Sequence, residues 1–116
     1  MAGVRQGDQA FVLSGTSAAT CVSNAATVTT WNSTITTESL TTAHTASQAI
    51  VITKVGVVAT DMAVVSMTGG TNVQGVPVLK AVCTTDTVTV TITNNAIITN
   101  AFNGTFIFNL FIHKTA

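Results

Sequence analysis

Residues Thr87 to Thr93 read Thr-Val-Thr-Val-Thr-Ile-Thr. Apolar and hydroxyl side chains alternate without a break, a period of two that belongs to a strand with one dry face and one wet face. Every residue in the run is β-branched, stiff about its first side-chain torsion and better suited to a pleated surface than to a helix. One half-buried strand is not stable alone, so the chain must supply several partners and a second layer.

The partners are legible in the second half of the chain. Strands are expected at Ala49–Thr53, at Asp61–Met67 before Gly69-Gly70, and at Val78–Cys83. Val55–Val57 reads as a bend, Gly75–Pro77 and Thr84–Asp86 as turns, and Asn94-Asn95 as a turn candidate. A strand is expected over Ala96–Phe102, joined through Asn103-Gly104 to a return strand over Thr105–His113. Asn-Gly between two β-like runs is a signal for a type I′ hairpin. The first half is less regular. Phe11–Leu13 reads as a short strand, Thr27–Trp31 as an alternating strand continued by Ser33–Thr36, and Ser39–Ala49 as a loop or a single helical turn. Residues 1–10 read as an arm that is flexible or docked on a partner. The expected fold class is all-β: an antiparallel β-sandwich, jelly-roll-like or immunoglobulin-like, formed by residues 11–116, with an extended N-terminal arm. A chain of 116 residues suits one such domain.

The terminal strand bears on function. One face carries Phe106, Phe108, Leu110 and Ile112, and the other carries Thr105, Ile107, Asn109, Phe111 and His113. A strand with bulky apolar groups on both faces is either central and covered on both sides or in contact with another subunit. The second reading is favoured. It makes Ile107, Phe111, Phe106 and Phe108 candidate oligomer or capsid-interface residues, with Val4 and Phe11 as candidates in the N-terminal segment.

Charge points the same way. Only 7% of residues are charged and the formal net charge is +0, against roughly 25% charged residues in ordinary soluble domains. No basic field exists to hold nucleic acid. Copies of a neutral chain also lack the mutual repulsion that keeps small domains apart.

Chemistry is sparse. Asp8, Glu38, Asp61 and Asp86 stand singly near turns, which suits capping rather than a paired-carboxylate site. His44 and His113 are too few and too far apart for a metal centre. Cys21 and Cys83 read as small buried hydrophobes. No Gly-x-Ser-x-Gly elbow or phosphate-binding glycine loop occurs. Asn32-Ser33-Thr34 and Asn103-Gly104-Thr105 match a glycosylation triplet too common to carry weight. No signal-peptide core and no membrane-spanning helix are read. The expectation is a non-enzyme without cofactors. Trp31 is the one alternative site, a ring that could form a glycan platform on a tail fibre or surface appendage.

The blocks Val55–Val57, Thr60–Ser66, Val78–Val82, Asp86–Asn94 and Thr105–Ile112, in that order, resemble small structural proteins of tailed-bacteriophage virions, of the capsid decoration or cement type. The resemblance covers a little over half of the chain and leaves residues 1–49 outside it. It implies a β-sandwich made in the host cytoplasm that assembles as a homo-oligomer, often a trimer. It further implies docking on the major capsid protein at the outside of the head, without catalytic residues and without membrane or direct nucleic-acid contact.

Overall fold

Four strands, β1 (Ser17–Thr20), β3 (Asn32–Thr36), β8 (Ile107–His113) and β5 (Met62–Gly69), form one sheet in that order. A second sheet runs β2 (Ala25–Thr27), β4 (Ser47–Thr53), β7 (Thr87–Asn94) and β6 (Pro77–Thr84). The structure is a computed structural model and describes residues 16–115. These are all-β, with no helix, and the two sheets pack face to face as a β-sandwich. The two sheets repeat one plan. The pairs β1–β2, β3–β4, β8–β7 and β5–β6 each place one strand in each sheet, at the same position in both.

The core follows from the period of two. Val88, Val90 and Ile92 of β7 are fully buried, and so are Ile50 and Ile52 of the neighbouring β4. From the other sheet Ile35, Phe108, Leu110 and Ile112 point inward against them. Each such side chain contributes about 1.5–3 kcal/mol by leaving water. The threonines of β7 occupy the opposite, outer face. One rank across that sheet is all threonine, with Thr84 opposite Thr87, Thr87 opposite Thr53, and Thr53 opposite Thr27. Lys80 is the single charged residue that any of the eight strands carries.

Several expectations need correction. The sheets are mixed, since β1 runs parallel to β3 and β2 parallel to β4. Thr27–Trp31 is not one strand. β2 ends at Thr27, the Val28 N–H bonds the Thr53 carbonyl, and the chain then crosses to the other sheet before β3 begins. Of the two forms expected for Ser39–Ala49 the loop is found, but it ends at Ala46, because Ser47 already opens β4. Ala96–Phe102 forms no strand; Ile97 and Ile98 lie exposed on a loop. Asn103-Gly104 makes no I′ hairpin, because β8 pairs with β3 and β5 and Gly104 does not adopt a positive φ. The I′ geometry occurs instead at Ser23-Asn24. Val22 and Ala25 exchange backbone hydrogen bonds there and both central residues have positive φ, 52° and 59°. The expected arm over residues 1–10 and strand over Phe11–Leu13 lie outside the described residues.

Candidate functional site

Strand register places the four within-pair crossovers, residues 21–24, 37–46, 70–76 and 95–106, at one end of the sandwich. Residues 28–31, 54–61, 85–86 and the tail at 114–115 lie at the other.

The second end gathers four of the six charged side chains among the described residues. The Asp61 carboxylate accepts from the Val58 N–H at 3.0 Å, the Thr115 N–H at 3.0 Å and the Thr115 hydroxyl at 3.1 Å, and it pairs with Lys114 Nζ at 2.9 Å. These bonds, the Val58 N–H first, outweigh the desolvation that opposes them and hold its pKa well below the usual carboxylate range. Lys114 Nζ also donates to the Gly56 carbonyl at 2.8 Å, and Asp86 accepts from the Gly56 N–H at 2.9 Å. The buried Lys54 places its Nζ 3.7 Å from the Trp31 ring centroid and donates to the Val55 carbonyl at 2.7 Å. Lys114 Nζ lies 5.6 Å from the same centroid. Trp31, the alternative glycan platform, is therefore half-buried with an ammonium over its ring face. A sugar would have to displace a desolvated cation–π contact to stack there.

The crossover end is held mainly by neutral groups. Thr71 and Thr105 bond reciprocally, each hydroxyl accepting the other's backbone N–H at 3.1 and 2.9 Å. Asn72 and Asn103 repeat the device one step along: Asn72 Oδ1 accepts from the Asn103 N–H at 2.8 Å, and Asn103 Oδ1 from the Val73 N–H at 2.9 Å. At the same end a cleft of about 400 Å³ runs past Asn24, Glu38, Thr42 and Gln48. Glu38 spans it by accepting the Asn24 N–H at 2.7 Å. Nearby, the turn Ala43–Ala46 holds Thr45 at φ 66°, in the third position, where a type II turn favours glycine.

The cysteines are buried and unpaired with each other. Burial raises both thiol pKa values; the Glu38 charge adds to this at Cys21 and the Asp61 charge at Cys83, where Lys114 opposes. Neither is activated as a nucleophile. Among the described residues no three His, Cys, Asp or Glu side chains gather as a metal site requires.

The interface candidates separate by face. Phe106 and Phe108 are 3% and 0% exposed and belong to the chain's own core. They offer no outward surface on this chain, unlike Ile107 and Phe111. Those two point outward from β8, half-buried, in the middle of the sheet, with Phe111 opposite Val64 of β5 and Ile107 opposite Gly69. Val4 and Phe11 lie outside the described residues. Sequence reasoning missed the exposed apolar edge at Met62 and Val64, whose alternation it read as strand alone. It also missed Asn94, read as part of a turn but buried at the end of β7. No family model matches the chain, and neither a curated protein nor a solved structure is found similar to it.

Proposed function

We propose that the chain is a structural protein whose work is contact: a neutral sandwich that associates with copies of itself and decorates a larger shell. On the resemblance read in the sequence, that shell is the head of a tailed phage and its partner is the major capsid protein. The observation that carries the reading is the distribution of charge. Lys80 is the sole charge on eight strands, while Lys54, Asp61, Asp86 and Lys114 are gathered at one end. Apart from Lys80, both broad faces are thereby left to hydroxyl, amide, aromatic and aliphatic groups, which cost far less than charges to bury against a partner.

A decorating protein that binds the assembled shell but not its free subunits stabilises the shell by mass action. The test is co-sedimentation of the purified chain with mature tailed-phage heads, with unassembled capsid subunits as the control. Saturable binding to heads, with a higher temperature of head disruption, is expected. Absence of binding to heads contradicts the decoration reading.

A further inference from the structure

We propose that β5 is the edge through which two copies of this chain pair, antiparallel about a two-fold axis, joining the two β1-β3-β8-β5 sheets into one continuous sheet of eight strands. The inference deepens the assembly reading above and rests on it.

The four sheet edges differ in length and protection. β1 and β2 are short, four and three residues. β6 is guarded, since it opens on Pro77 and carries Lys80 on its outer face. Proline and lysine are the usual protections against unwanted strand pairing. β5 is eight residues long, Met-Ala-Val-Val-Ser-Met-Thr-Gly, with neither charge nor proline. Among the described residues no strand pairs with its outer edge. Met62 and Val64 are 58% and 54% exposed on the outer face, where Val64 lies opposite Phe111 of β8. A long, uncharged, apolar edge of this kind is a template for strand addition.

A second copy of the chain is the occupant that fits. The strand has no charge and the chain has net charge +0, so nothing repels an identical edge. Antiparallel pairing of a strand with itself is self-complementary and closes at two, without open polymerisation. The register irregularity between Met67 and Gly69 confines regular pairing to Met62–Met67. Centring the pair on Val64 sets Val64 opposite its own copy and Met62 opposite Ser66, all on the outer face. Met62, Val64 and Phe111 of both copies then form one surface.

Sedimentation velocity on the full chain tests this, with Val64→Lys, Val64→Cys and, on the guarded edge, Val82→Cys. The wild type is expected to be dimeric, or built from dimers. Val64→Lys sets two ammonium groups against each other and is expected to weaken association at least about tenfold, with an unchanged circular dichroism spectrum. Directly opposite positions lie within disulfide reach, so Val64→Cys is expected to cross-link on mild oxidation and Val82→Cys is not. If the wild type associates but Val64→Lys leaves association unchanged and Val64→Cys does not cross-link, the edge proposal is overturned while the assembly reading stands. Loss of association on removing residues 1–15, with Val64→Lys still associated, assigns the contact to the N-terminal segment and also overturns it. A wild type that stays monomeric overturns both.

Discussion

The side-chain amide of Asn94 donates to the carbonyl of Thr42 at 3.1 Å, across 52 residues of sequence. The same amide donates to the Asn100 carbonyl at 2.7 Å, and its oxygen accepts from the Val76 and Ala96 N–H groups, both at 3.2 Å. One fully buried side chain therefore ties together three of the four crossovers at that end of the sandwich.

Replacing Asn94 by Ala removes this partner from the Val76 and Ala96 N–H groups and from the Asn100 carbonyl, while the Thr42 carbonyl keeps the Phe102 N–H. The expected loss is roughly 2–4 kcal/mol, measured by urea unfolding. Asn95→Ala, at an exposed neighbour, is expected to stay within about 0.5 kcal/mol. Equal effects at the two positions would contradict the role given to Asn94.

Gly69 and Gly70 look alike in the sequence and differ in the structure. A Cβ at Gly69 meets only Ile107 Cδ1 at 4.0 Å. At Gly70, with φ +123°, it would collide with the Thr105 carbonyl oxygen and lie 2.7 Å from Phe106 Cα. Gly69→Ala is expected to be near neutral. Gly70→Ala is expected to cost about 3 kcal/mol or more, because backbone must move on both sides. Thermal melts of the two variants side by side check this.

The depressed pKa of Asp61 makes stability depend on pH. A carboxylate whose pKa is lower folded than unfolded contributes stability that is present above its unfolded value, about 3.9, and is lost as pH falls through the folded value. Asp61→Asn is therefore expected to be less stable than wild type at neutral pH. The gap should shrink below about pH 4 and close only in stronger acid. A gap that is the same at pH 7 and in strong acid would contradict the bonding described for Asp61.

Trp31 is the only tryptophan and the chain has no tyrosine, so its fluorescence reports one site. Lys54→Met keeps an unbranched side chain beside the ring and removes the ammonium. A loss of about 0.5–2 kcal/mol is expected. Neutral oligosaccharides are expected to leave the emission unchanged, because Lys54 already covers the ring face. A saturable spectral shift with any such sugar would reverse the assignment of this site.

Much of the sandwich was legible because its strands obey one local rule. Thr87–Thr93 sends Val88, Val90 and Ile92 inward and its threonines outward, as period two requires. The errors arose where a side chain answered to a distant loop rather than to its neighbours. Thr27–Trp31 alternates as a strand does, yet the chain there leaves one sheet for the other. Ile97 and Ile98 look like strand residues and stand exposed on a loop whose far end, at Asn100, is tied to the Asn94 side chain. Gly104 serves close approach rather than a hairpin, since a Cβ there would lie 2.6 Å from the Asn72 nitrogen. Local pattern also could not tell which face of β8 meets the core, as both carry large apolar groups. Only the packing of the second sheet decides that Phe108, and Phe106 just before β8, turn inward and that Ile107 and Phe111 turn out.

The central claim is that neutral faces and an unguarded edge make this chain an assembling protein. Sedimentation equilibrium of the full chain over a wide protein concentration range, at low salt and near 1 M salt, tests it most directly. Contacts made by uncharged groups are not screened by ions, so a stable oligomer is expected with the same mass at both salt concentrations. A monomer at every concentration would contradict the account, and so would an oligomer that dissociates as salt rises.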